Sequence, residues 1–425
     1  MTTATPLGHT NWAGNIAFGA ARVHRPASVE ELRAIVAGSA KVRVLGTGHS
    51  FNDIADTAGD LVSVADLPRV VDIDRAHSSV RVAAGLRYGE FVAELDAAGL
   101  ALPNLGSLPH ISVAGACATG THGSGDRNGN LSTTVSAVDI VTADGDLRTI
   151  SRAADGDEFL GSVVALGALG VVVAVTLDLV PRYEVAQHVY EDLPRATLDS
   201  HLDEIFASGY SVSAFTDWRG GAVNQVWRKR RVDGPLDASE TWLGAHVADG
   251  NRHPLPGIEA TPCTEQLGRP GPWHERLPHF RLEFTPSAGE ELQSEFFVPR
   301  VHAVDALRAL DAIHDRIAAV LQISELRTVA ADELWLSPAF RRDSLAIHFT
   351  WHKDPAGVST VLPAIEERLA PFDARPHWGK LFTMAAEVLA GRYERLADFA
   401  RLRAEHDPAG KFVNAFVQRY LGGAA

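Results

Sequence analysis

"RVLGTGHSFND", residues 43–53, runs from a β-branched lead-in into a turn with Gly46 and Gly48 on either side of Thr47, and then into His49, Ser50, Phe51 and Asn52. Glycines so placed let backbone N–H groups turn inward and approach an anion with no side chain in the way. The general nucleotide fingerprints fail, because no third glycine follows at dinucleotide-fold spacing and no Gly-Lys-Ser/Thr follows. Nothing in an anion-binding turn requires an imidazole. Taken alone, the stretch leaves His49 readable as a capped, hydrogen-bonded loop residue.

Outward from this turn, the chain between Arg43 and Val180 alternates short Val/Ile/Leu runs with turn residues: "VRVL", "LVSVADL", "VVDID", "SVRVAAG", "AVDIVTADGD" and "VVVAVTLDLVP". This predicts strands of a mixed sheet. Within it "YGEFVAELDAAG" sets Phe91, Val92, Leu95 and Ala98 on one helical face and closes on Gly99 as a C-terminal stop. A second small-residue turn, "SVAGACATGTHGSG" (Ser112–Gly125), follows, and two such turns can hold one pyrophosphate from both sides.

The wider composition limits the function classes. A chain of 425 residues with 46% apolar residues is long enough for two packed domains. Its 39 basic and 53 acidic residues give a formal charge of -14, which disfavours nucleic acid and anionic membranes as partners. Two cysteines, Cys117 and Cys263, form no disulfide framework and fit a reducing cytoplasm. No secretory leader pattern and no membrane-length apolar run is seen, so a soluble protein is expected. "HERLPH" (His274–His279) lacks the i, i+4 histidine pair of a zinc helix, and no metal is expected. "WRKRRV" (Trp227–Val232) is basic, but at this net charge it reads as a solvated strand end.

Downstream, Asp233–Pro278 is dense in Pro and Gly and reads as a segment that wraps a surface or lines an opening. "VHAVDALRALDAIHDRIAAVL" repeats apolar residues at Val304, Leu307, Leu310, Ile313 or His314, Ile317 and Val320, as one amphipathic helix does. In "LAIHFTWH" a period of two sends Leu345, Ile347, Phe349 and Trp351 to one side and Ala346, His348, Thr350 and His352 to the other. The same period in "ELRTVA" puts Glu325 and Arg327 on a shared face. If the two strands are neighbours, four polar groups converge on one floor.

At this point the sequence resembles the vanillyl-alcohol-oxidase-type flavoproteins, in the branch of the aldonolactone and alditol oxidases. "GTGHSFND" resembles their first pyrophosphate loop and "LPHISVAGACATGTHGSG" their second, while "HWGK" (His377–Lys380) and "DPAGKFVNAF" (Asp407–Phe416) resemble their C-terminal signature. The resemblance implies an α+β fold of two domains. A FAD-binding domain would span 1–180, completed by 376–425, with a mixed-sheet substrate domain over 181–375. It implies FAD held by Gly46, Thr47, Gly48, His49, Ser50, Ser107, Ser112, Gly115, Ala118, Gly120, Thr121 and His377, with His49 covalently joined to the flavin. Cys117 lies inside the second turn, not before it where doubly tethered relatives carry a cysteine, so a packed thiol is expected.

By the same resemblance Ser107, Glu325, Arg327, Thr350 and Lys380 would bind substrate, and Lys380, Arg327 and His348 would act in catalysis. A carboxylate accepts from neighbouring hydroxyls and a guanidinium donates to another, which suits a polyol chain. The near-neutral ordinary pKa of an imidazole makes His348 a candidate base. The implied activity is oxidation of a terminal primary alcohol of an alditol, with oxygen reduced to hydrogen peroxide, by a cytoplasmic monomer. An aldonolactone oxidoreductase with another electron acceptor shares every loop quoted. A non-catalytic flavin or carbohydrate carrier would need no Lys380.

Overall fold

The computed structural model describes residues 9–234, 239–284 and 289–422. The expected strands form, but they divide between two sheets and do not share one mixed sheet. Asp60–Ser63 runs parallel between Arg22–His24 and Val42–Leu45. Beyond Pro68, which has no N–H to offer a ladder, Val71–Asp74, Ser79–Ala83, Val171–Asp178, Val135–Val141 and Leu147–Ser151 pair in that order, all antiparallel. The "YGEFVAELDAAG" segment is a 3-10 turn at Tyr88–Glu90 followed by a short helix, Val92–Ala97. Gly99 sits just past it at φ +78°, as a left-handed stop requires.

A large antiparallel sheet carries the later strands. Ala222–Arg231, Ser211–Thr216, Leu321–Val329, Ser344–His352 and Glu291–Pro299 lie side by side in that order. The register aligns Glu295, His348, Glu325 and Phe215 in one row across four strands. Leu345, Ile347, Phe349 and Trp351 are fully buried on one face, as the alternation predicts. His348 and Thr350 are buried too, so the opposite face is a covered floor and not a wetted surface.

Three expectations need correction or sharpening. The single helix expected after Val301 is two, Ala303–Asp311 and His314–Ala318, broken at Ile313 (φ -126°, ψ 19°). There the Nδ1 of His314, 2.7 Å from the Asp311 carbonyl, takes the place of a backbone donor. "WRKRRV" is not a solvated strand end: Trp227, Arg228, Lys229 and Arg230 are all buried, because their strand lies inside the large sheet. Net charge describes the whole surface and says nothing of one strand's place. The 233–278 stretch contributes only short strands and turns among its described residues, and its His253, Pro254 and Leu255 line a cavity. No helix among the described residues is long and apolar enough to cross a membrane.

Chain segments far apart in sequence meet around the first glycine turn. Asn52 donates to the carbonyls of Trp378 and Lys380, each at 2.8 Å, and Phe51 N–H donates to Gly379 O at 2.7 Å. Asn414 donates to the carbonyls of Asp53, Ile54 and Asp56. Beneath the turn the buried Arg43 guanidinium donates to four carbonyls, those of Ile54, Leu166, Gly167 and Phe412. Burial brings its pKa down to about 10, which leaves it charged at neutral pH. Arg43→Met keeps much of the volume and strands those acceptors. At about 1 to 3 kcal/mol per buried unsatisfied group, the variant should lose at least about 3 kcal/mol of stability in urea unfolding, and an unchanged midpoint would refute this role.

Candidate active site

The two glycine turns face each other. A Cβ on Gly46 would come within 2.6 Å of Ser112 Oγ, and one on Gly115 within 2.8 Å of the same oxygen. Gly48 has φ +72°, a conformation that favours glycine. Ser112 N–H donates to Thr47 Oγ1 at 3.3 Å, which joins the turns, while Ser112 Oγ is buried with no partner. A hydroxyl left without an acceptor between two backbone cradles fits a ligand that brings anionic oxygens.

His49 stacks on Trp12 with ring centroids 5.0 Å apart. Burial, then the neighbouring His110, brings its pKa down to about 4, so the ring is neutral. Its Nδ1 is buried without a hydrogen-bond partner. A neutral imidazole nitrogen with a free position, inside a cavity that also holds both glycine turns, is a nucleophile without a protein partner. Cys117 is a buried thiol whose pKa burial pushes up to about 12, which makes it inert packing.

One cavity runs from these turns to the sheet floor. It is lined by Gly46, Thr47, Gly48, His49, Ser50, Ser107, Ser112, Gly115, Ala118, Thr121, His377, Glu325, Arg327, His348, Thr350 and Lys380. Gly120 alone among the expected residues does not line it. At φ +68°, with Pro338 Cδ 3.0 Å from where its Cβ would lie, Gly120 shapes the turn and makes no wall.

The floor holds two charged clusters. In the first, Arg327 donates through Nε and Nη2 to the two oxygens of Glu325 and through Nη2 to Ser107 Oγ. Burial opposes the ionised form of Glu325, but Arg327 and His279 outweigh it and hold the carboxyl well below its usual pKa. In the second, Lys380 Nζ lies 2.8 Å from Glu295 Oε2 and 2.7 Å from His348 Nδ1. His348 Nε2 is 3.0 Å from Thr350 Oγ1. Burial lowers the Lys380 pKa against the pull of Glu295, and burial with Lys380 lowers that of His348 well below the ordinary imidazole value. His377 accepts the Gly379 N–H on Nδ1 at 3.1 Å, and burial takes its pKa to about 3.

Sequence reasoning missed Glu295, His122 and His279. Glu295 is buried at the centre of the second cluster, with His122 Nε2 at 3.2 Å, and Lys380 with His122 outweighs burial to hold its pKa well below the usual value. A signal existed: Glu291, Gln293 and Glu295 recur at period two in "ELQSEFFVP", and all three line the cavity. His122 sits among the small residues of the second turn, which drew attention to backbone and away from side chains. His279 carries no signal in the sequence beyond the spacing of "HERLPH".

Comparisons with known proteins match two stretches of the chain. Residues 20–151 match the family described as FAD binding domain, and residues 290–420 match D-arabinono-1,4-lactone oxidase. The chain is 54% identical to the alditol oxidase of a Streptomyces species, covering 100% of both chains. It is 30% identical to the L-gulono-1,4-lactone dehydrogenase of Mycobacterium tuberculosis, covering 97% of this chain and 99% of that one. A cholesterol oxidase from Brevibacterium sterolicum shares the fold at a TM-score of 0.76 and 15% identity, covering 97% of this chain and 96% of that chain.

Two facing glycine turns with an orphaned hydroxyl, on this fold, define a FAD-dependent oxidoreductase. The chain belongs to the vanillyl-alcohol-oxidase-type flavoproteins, in the branch of alditol and aldonolactone oxidases.

Proposed function

We propose that the protein oxidises a terminal primary alcohol of an alditol such as xylitol, sorbitol or glycerol to the aldose, with oxygen reduced to hydrogen peroxide. The observation that carries this reading is a buried carboxylate–guanidinium pair, Glu325 and Arg327, on the same sheet floor as a lysine–imidazole pair, Lys380 and His348. Hydroxyl-rich chains need both acceptors and donors, and the floor offers both. FAD would lie between residues 46–50 and 112–121, in a unit of 1–180 with 376–425, and 181–375 would cover the substrate. When bound there, FAD would supply a two-electron acceptor for the alcohol's hydride and a route for those electrons to oxygen. The unpaired thiols of Cys117 and Cys263 support a cytoplasmic enzyme, and a monomer is proposed.

The protein's part is to fix the alcohol and move one proton. Glu325 accepts from a substrate hydroxyl, and Arg327 with Ser107 orients the carbon chain. With Lys380 as an amine and Nδ1 of His348 protonated, His348 Nε2 takes the alcohol proton while the Nδ1 proton passes to Lys380 Nζ. Glu295 stabilises the resulting ammonium, which then faces the charge developing on substrate and flavin. The rival reading is an aldonolactone dehydrogenase, favoured by the match of 290–420 and by the mycobacterial relative. Purified enzyme should produce peroxide stoichiometrically from polyols and little from aldonolactones. Reduction of an artificial dye by lactones, with no peroxide from any polyol, would move the assignment to that class.

The free, neutral Nδ1 of His49 supports a covalent bond to the flavin. Acid-precipitated wild type should stay yellow after washing, and pellets of His49→Ala should be colourless. A yellow variant pellet would rule out the link.

Because the lysine–imidazole pair must begin one proton short, kcat/KM should fall as pH drops through the pair's apparent pKa. Glu295 favours the protonated lysine, so Glu295→Gln should move this acid limb to lower pH. A limb that stays in place or moves up would contradict the proton path.

Gly106 lines the cavity beside Ser107. A methyl group there would meet Ile111 Cδ1 at 3.7 Å and His122 O at 3.8 Å, ordinary contacts, and its φ is not left-handed. Gly106→Ala should therefore fold without strain and narrow an oxygen path, slowing reoxidation of reduced flavin by about tenfold with anaerobic reduction by xylitol nearly unchanged. Stopped-flow measurement of the two half-reactions checks this, and unchanged reoxidation would remove the gating role.

A further inference from the structure

Joined to Glu325 through His279, which itself lines the cavity, is a third buried group that the reaction as described does not use. Lys229, in the strand Ala222–Arg231, is 1% exposed. Its Nζ lies 2.5 Å from Leu277 O, 3.2 Å from Pro278 O and 3.0 Å from His279 Nδ1. Three acceptors surround one nitrogen. Burial, and after it Arg327, lowers the pKa of this lysine. Arg327 donates to both oxygens of Glu325, so His279 Nε2, 2.8 Å from Oε1, must donate and Nδ1 must accept; with three acceptors about it Lys229 is an ammonium, since an amine would turn its lone pair on one of them.

The same contacts fix the state of His279. With Nδ1 accepting from Lys229, the ring proton is on Nε2, which donates to Glu325 Oε1 at 2.8 Å. The ring cannot turn freely, because Trp227 and Phe215 meet it edge-on at centroid distances of 5.0 and 5.6 Å. Burial brings the His279 pKa down to about 3, so it donates as a neutral ring. The backbone N–H of His279 donates to the backbone carbonyl of Ser107 at 3.0 Å. The chain of contacts therefore closes on itself: Lys229, His279, Glu325, Arg327, Ser107 and back to His279.

We propose that Lys229 and His279 are positioning residues which, by locking the Nε2–H tautomer, hold Glu325 ionised and aimed at a substrate hydroxyl, and so set the affinity for the polyol chain. This rests on the reading of Glu325 as the hydroxyl acceptor. The opposite tautomer would point a ring lone pair at the carboxylate, and Glu325 would turn away or take up a proton. Neither Lys229 nor His279 touches the reacting carbon in this scheme, so binding should suffer and the chemical step should not.

The test is anaerobic stopped-flow reduction of the flavin-loaded enzyme by xylitol, which gives a Kd from the concentration dependence and a limiting rate. Lys229→Met should raise Kd by about tenfold or more and change the limiting rate by less than about threefold. Adding His279→Gln to that variant should return Kd to within about threefold of wild type, because an amide carries its own N–H and needs no lysine to fix it. A purely structural lysine would not be rescued in this way. Should Lys229→Met fail to fold, His279→Gln and His279→Phe in the otherwise wild-type chain carry the test. The glutamine variant should keep the wild-type Kd, and the phenylalanine variant should raise it as Lys229→Met would. An unchanged Kd in Lys229→Met, a loss not rescued by His279→Gln, or equal losses in the two His279 variants would overturn the relay. A wild-type flavin that no polyol reduces would instead overturn the functional reading beneath it.

Discussion

The site is organised by one constraint: charge has been taken out of water and must be answered inside the protein. Glu295 and Glu325 are both buried to the point where a lone carboxylate would protonate. Each is answered by a basic side chain and an imidazole, Lys380 and His122 in one case, Arg327 and His279 in the other. Removing one partner of such a pair costs more than the pair contributes, since the survivor is left buried and alone. The sheet register follows from this requirement, for a one-residue slip between Leu321–Val329 and Ser344–His352 would send one strand's polar set into the apolar face.

Much of this was legible in the sequence. Period-two alternation placed Glu325 with Arg327 and His348 with Thr350, because a strand's side-chain directions are fixed by backbone geometry alone. Gly46 and Gly48 signalled a backbone cradle, and the structure makes Gly46 sterically necessary through Ser112 Oγ. What was hidden is whatever depends on a neighbour. "WRKRRV" reads the same on an edge as in a sheet centre, and only the flanking strands bury Lys229. The helix break at Ile313 turns on a side-chain bond from His314 that apolar spacing does not encode. Gly120 is implied as a cofactor contact by the resemblance, while its φ of +68° and the Pro338 Cδ 3.0 Å from an added Cβ, features no sequence pattern encodes, place it in the turn outside the cavity lining.

The tethering of the first glycine turn shows why the C-terminal tail belongs with the start of the chain. Asn52 bonds the backbone of Trp378 and Lys380, Asn414 bonds the backbone of residues 53, 54 and 56, and Arg43 reaches Phe412. Carbonyls so held cannot shift without breaking several bonds at once. The position of His49 and that of Lys380 are thereby coupled through a rigid backbone lattice, so the proposed tether and the proposed proton acceptor share one frame.

The two lysine–histidine contacts of the floor resemble each other and differ in one respect that decides their chemistry. In both, an ammonium or amine faces Nδ1, and Nε2 turns to an oxygen: Glu325 for His279, Thr350 for His348. Lys229 has two carbonyls as further acceptors, so all three of its protons are committed and it serves as a fixed strut. Lys380 has Glu295 and His348 as its hydrogen-bond partners among the described residues, and it borders the cavity. One of its positions is open to a bound ligand. A lysine enclosed by acceptors keeps its proton because no alternative arrangement satisfies them. A lysine with an open position exchanges its proton at little cost, and in the proposed reaction the same imidazole contact would conduct a proton where the other only holds one in place.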